Sequence, residues 1–170
     1  MIDFCEDKEL QKKLEKEITR FSSQKLKGNI VFAKGNRIEA FLLSDELYKN
    51  FKSMERNPYS IGAFLGSFEG ERFSPSLQLL HNIAISDDVR AVVNRRGEKP
   101  FLYGKNVESR DVVWISEETM PGEILVLCNE KNEPIGFVKS LTNGRIMKKL
   151  GNKPVLKNIQ DIGWYLRKGR

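Results

Sequence analysis

From residue 101 onward the apolar residues come in blocks of strand length: 101–103, 112–115, 124–128 (ILVLC), 135–141 (IGFVKSL), 154–159 and 162–167. They are separated by turn chemistry, notably Pro121-Gly122 and Asn129 to Asn132. Short strands at near-regular spacing with such turns predict a small closed or half-closed β-barrel. Phe101–Tyr103 is expected as its first strand. Gly104 frees the backbone to turn, 106–111 form a short connecting turn or helix, and 112–115 form the second strand. Just upstream, Arg95-Arg96-Gly97-Glu98-Lys99-Pro100 is polar and contains both Gly and Pro, which marks it as the domain boundary.

The preceding residues mix periodicities. Leu10, Leu14, Ile18 and Phe21 recur at helical spacing between charges, so the N-terminal stretch reads as an amphipathic helix. Residues 30–32 and 38–43 flank Lys34-Gly35-Asn36 and read as a hairpin. Ser44 is expected to cap a second helix, which Pro58 ends. IGAFLGSFEGERF predicts two strands around Glu69-Gly70-Glu71, Pro75 opens a short helix, and Val89 to Val93 form a further strand. The chain of 170 residues therefore divides as an α+β domain, 1–94, with mostly antiparallel strands, followed by a β domain, 95–170.

Charge adds a functional constraint. Residues 139–170 hold nine basic residues and one acid, Asp161, for a net +8, whereas residues 1–138 sum to −2; together they make the chain's +6. A basic segment on a folded body is the footprint of a polyanion binder. A free solubilising tail would not also carry Ile146, Val155, Leu156, Ile159, Ile162, Trp164, Tyr165 and Leu166. No apolar run approaches the ~20 residues of a membrane helix, and MIDFCEDKELQKK lacks a secretory pattern, so no membrane association and an intracellular setting are expected. Cys5 and Cys128 lack metal-ligand or CxxC spacing. His81 has no partner pattern for a base or ligand. The glycines of 61–70 miss the GxGxxG and Lys-Ser/Thr signatures of phosphate loops. Asp87 and Asp88 are neighbours that face different ways. No catalytic set emerges, and neither a cofactor nor a metal is expected.

Three segments together resemble a known module. FLYGKNV, MPGEILVLCNEKNEPIGFVKS with its Pro-Gly and Pro-Ile-Gly turns, and QDIGWYLRKG resemble a PUA domain, the small RNA-binding pseudobarrel. With SIGAFLGSFEGERF and PSLQLLHNIA, nearly the whole chain resembles the Nip-seven family of large-subunit ribosome biogenesis factors, in its archaeal form; Val138 departs from the small residue often found at that place. The resemblance implies an N-terminal α/β pre-PUA domain and a C-terminal PUA pseudobarrel. It also implies a non-catalytic factor that binds pre-rRNA, with a leaning to U- or AU-rich single strands, through Arg145, Lys148, Lys149, Lys153 and Lys157. Residues 1–94 are then expected to meet other ribosome-assembly proteins and the exosome. The chain is expected to be a monomer in the cytoplasm, or in the nucleolus or nucleus if eukaryotic. Trp164 and Tyr165 are read as barrel core or as base-stacking platforms. Lys105 and Arg110 are candidates to extend the RNA path. Two rival readings stay open: a PUA-containing RNA- or tRNA-modifying enzyme or its accessory subunit, and a scaffold whose basic segment meets an acidic protein.

Overall fold

The computed structural model describes residues 3–22, 24–55, 58, 61–164 and 167. The chain forms two compact units, residues 1–84 and 85–170.

In the first unit, β1 (Asp3–Cys5), β2 (Asn29–Lys34), β3 (Ile38–Leu43), β4 (Ala63–Glu69) and β5 (Arg72–Pro75) form a five-stranded sheet in sequence order, each pair antiparallel. The expected turn at Gly35 joins β2 to β3, and Gly70, at φ 59°, turns β4 into β5. Helix α1 (Lys8–Ile18) is shorter than its apolar periodicity suggests. Its Leu14 and Ile18 cover one sheet face over Phe32, Ala40, Leu42 and Leu65. The alternate side chains Val31, Ala33, Phe41 and Leu43 point to the other face. There Tyr48 and Phe51 of α2 (Asp45–Lys52) pack on them. The period-2 register thus gives one sheet two cores. Ser44 caps α2 through Leu47 N–H, as its sequence position predicts. Pro75 leads into a 3₁₀ turn, Leu77–His81, in place of a longer helix.

The second unit contains β6 (Arg90–Val93), α3 (Arg95–Leu102), β7 (Val107–Glu108), β8 (Val112–Ile115), β9 (Ile124–Cys128), β10 (Pro134–Ser140), α4 (Gly144–Met147) and β11 (Pro154–Asp161). Its sheet runs β7-β11-β10-β9-β6-β8. The two edge strands, β7 and β8, are joined only by the short turn Ser109–Asp111. In a flat sheet its edges would lie about 24 Å apart at ~4.8 Å per strand, beyond the ~10 Å that three residues span. The sheet must therefore curl into the half-closed barrel expected from the sequence. Ala91, Val93, Phe101, Leu125, Leu127, Ile135, Val138, Met147, Val155 and Leu156 fill it.

Four expectations are corrected. The division falls at 84/85 instead of 94/95, because β6 pairs with β8 and, in parallel, with β9. The polar 95–100 stretch is not the domain boundary: it lies in α3, capped by the Asn94 side chain, which accepts from Gly97 N–H at 3.0 Å. Phe101 and Leu102 end that helix instead of starting the barrel, and Gly104, at φ 83°, makes the expected turn after it. Strand β11 stops at Asp161, where the chain turns, and Trp164 and Arg167 are helical in place of the strand expected at 162–167; Tyr165 and Leu166 lie outside the described residues.

Candidate nucleic-acid interface

The basic residues sit on elements whose local reasons are visible. Asn143 caps α4 by accepting Arg145 N–H at 2.9 Å. Arg145 leaves the helix into solvent, where Glu118 meets it at 3.1 Å. Such an exposed pair is weak and opens readily to another anion. Lys148 ends α4 and Lys149 follows, both exposed. The loop that carries them is laced to residues 109–110. Buried Ser109 donates its hydroxyl to Met147 C=O and accepts Leu150 N–H at 3.1 Å. Ser109 N–H donates to Lys153 C=O and Arg110 N–H to Gly151 C=O, each at 2.9 Å. The loop thus presents Lys148, Lys149 and Lys153 from an anchored backbone.

Arg110, named from the sequence as a candidate to extend the RNA path, is tied to this loop through its backbone N–H, but its guanidinium is held by Glu108 at 2.8 Å. Lys157, on β11, is placed opposite Lys139 of β10. Lys105 lies beside β11, its carbonyl 3.5 Å from Asn158 Nδ2. The described residues give Lys105, Lys139, Lys148, Lys149, Lys153 and Lys157 no ion pair. Sequence reasoning counted Lys139 among the charges but did not place it among the candidate site residues. Only strand register reveals its partner.

Arg167 belongs to the fold instead. It grips Asp161, 1% exposed, with two bonds of 2.8 and 2.9 Å and also donates to Leu102 C=O. The Asp161 carboxylate holds the Arg167 guanidinium above its ordinary pKa through that hydrogen bonding, with desolvation opposing. Asn158 donates to Asp161 at 3.0 Å and to Phe101 C=O at 3.0 Å. Trp164 is 39% exposed and so stands at the surface rather than in the barrel core.

Other chemistry does not assemble. His81 is exposed at the end of its turn, and Asp87 pairs with Arg90 at 2.9 Å. Burial pushes the Cys128 thiol up to about 11 against the pull of the Arg90 charge, leaving it inert as a nucleophile. Cys5 is also free. Among the described residues no cluster of three His, Cys, Asp or Glu side chains is arranged to hold a metal, and no helix is long and apolar enough to cross a membrane.

Comparison with known proteins assigns both units. Residues 5–77 match the NIP7/UPF0113 pre-PUA domain and residues 90–170 the UPF0113 PUA domain. The chain belongs to the NIP7/UPF0113 family. A UPF0113 protein of Aeropyrum pernix is 32% identical over 69% of this chain and 64% of its own length, so less than two thirds of that relative is matched. The 60S ribosome subunit biogenesis protein nip7 of Schizosaccharomyces pombe is 28% identical over 75% of this chain and 72% of its own. A conserved PUA domain protein from Thermoplasma acidophilum has the same fold, with a TM-score of 0.73 at 14% identity over 99% of each chain. The PUA match of this NIP7/UPF0113 chain begins at residue 90, with β6, in keeping with the earlier division.

Proposed function

We propose that this chain is a non-catalytic RNA-binding factor of large ribosomal subunit biogenesis. It holds single-stranded pre-rRNA, U- or AU-rich, through Arg145, Lys148, Lys149, Lys153 and Lys157. The observation that carries the reading is the anchored 148–153 loop and β11, which present four exposed lysines without a carboxylate partner among the described residues. Relatives named as 60S biogenesis proteins support the cellular role. Each lysine that neutralises a phosphate releases counterion, so affinity should fall with salt at roughly −0.7 log units per contact on single strands. Residues 1–84 are proposed to meet other assembly proteins, the exosome among them, with the chain itself a monomer. The test is titration of labelled oligouridylate with the wild type and with Lys148→Glu/Lys149→Glu. A loss of more than about tenfold at 0.1 M salt is expected from two lost phosphate contacts. Equal binding by the two proteins would remove the reading.

A further inference from the structure

The pairing of β10 with β11 makes Lys139 and Lys157 direct cross-strand partners. Both are exposed, and neither meets a carboxylate among the described residues. Directly opposed side chains share a sheet face with Cβ atoms about 5 Å apart, and like charges there destabilise the pair. Elsewhere on the surface Lys13 meets Glu71, Lys34 meets Asp7 and Arg145 meets Glu118, whereas among the described residues no carboxylate separates these two directly opposed lysines. The unmatched pair also borders open backbone. Lys139 Cε lies 3.9 Å from where a Cβ on Gly122 would stand, so the lysine stem runs beside the Pro121-Gly122 turn, where Gly122 at φ 93° has no side chain to shield an approaching chain.

We propose that Lys139 and Lys157 form a two-ammonium clamp on one phosphodiester of the bound RNA. The inference rests on the RNA reading and adds to it a residue, Lys139, and a stoichiometry of two cations to one phosphate. Two lysine side chains that leave the sheet from directly opposed positions concentrate positive potential where a single phosphate oxygen pair can meet both. The repulsion in the free protein is relieved when the anion arrives, so the clamp sacrifices some stability of the free fold for binding.

The full chain is titrated with fluorescein-labelled oligouridylate of about 12 nucleotides, within the usual span of single-strand sites, across a salt series. Lys139→Gln should flatten the salt slope by ~0.7, which over the decade from 1 M to 0.1 M amounts to about fivefold weaker binding at 0.1 M. Lys139→Glu should weaken binding further while raising Tm by about 2 °C, because it turns a repulsive cross-strand pair into an attractive one. Opposite signs on stability and affinity distinguish a clamp from a structural lysine. Wild-type affinity and slope in Lys139→Gln, alongside weakened Lys148→Glu/Lys149→Glu, overturn the clamp and leave the RNA reading standing. A lowered Tm for Lys139→Glu overturns the repulsion on which the clamp depends. A wild type that ignores the RNA but is captured by polyglutamate overturns both and assigns the surface to an acidic protein.

Discussion

At the scale of single residues, the same carboxylate can serve helix and sheet at once. Asp7 Oδ1 accepts the N–H groups of Glu9 and Leu10 at the start of α1, while Oδ2 meets Lys34 of β2 at 2.9 Å. The Lys34 hydrogen bond, followed by that of Leu10 N–H, holds the Asp7 pKa below its ordinary value. A carboxyl with a depressed folded pKa contributes stability above its unfolded pKa, and that contribution is lost as pH falls through the folded value. Asp7→Asn keeps the cap and loses the charge. It should melt a degree or two below wild type, on the order of a surface pair, from neutral pH down to about pH 5, and the gap should close below about pH 4. Thermal melts from pH 7 to pH 3 check this; a gap that widens in acid would contradict it. Residue identity alone hides such roles. The basic excess of 139–170 was legible as charge, but nothing in the one-dimensional count separates Arg167, locked on buried Asp161, from Lys157, which faces solvent. That distinction is tertiary.

At the scale of elements, α3 is where sequence and structure part. The stretch RRGEKPFL holds a glycine and a proline, and both lower helix propensity. Tertiary packing overrides them. Asn94 caps the helix, Phe101 plugs the barrel at 0% exposure, and Pro100 stands near the C-terminal end, where only a few residues of helix remain to be disturbed. Gly97 is required on steric grounds: a Cβ there would fall 2.5 Å from Asp111 Cβ and 2.6 Å from Val93 Cγ2. Helix propensity favours alanine over glycine by about 1 kcal/mol, whereas overpacking a rigid contact costs about 1–3 kcal/mol. Gly97→Ala is therefore expected to destabilise by about 1 kcal/mol net, read from chemical denaturation; a stabilised variant would show that the helix can move off Asp111. The strands after residue 112 were legible because their apolar blocks and turns agree with the ladder. The final block, 162–167, misled because Arg167 must fold back to reach Asp161 and Leu102, which a continuing strand would not allow.

At the scale of the whole chain, charge is divided as the sheets are. Residues 1–84 sum to +1 and residues 85–170 to +5, and every residue of the proposed RNA path lies in the second unit. That unit also has its own core, contained in a sheet that curls on itself. A unit with a private core and the whole cationic path should keep both when isolated. The fragment 85–170 is expected to give a cooperative melt and to bind oligouridylate within about threefold of the full chain. Its salt slope should be unchanged, because the count of neutralised phosphates sets the slope. The fragment 1–84, nearly neutral, should leave the RNA unbound. A folded 85–170 fragment whose slope falls by ~0.7 or more would mean that cations of the first unit also touch phosphate, and the path would then have to be redrawn across both units.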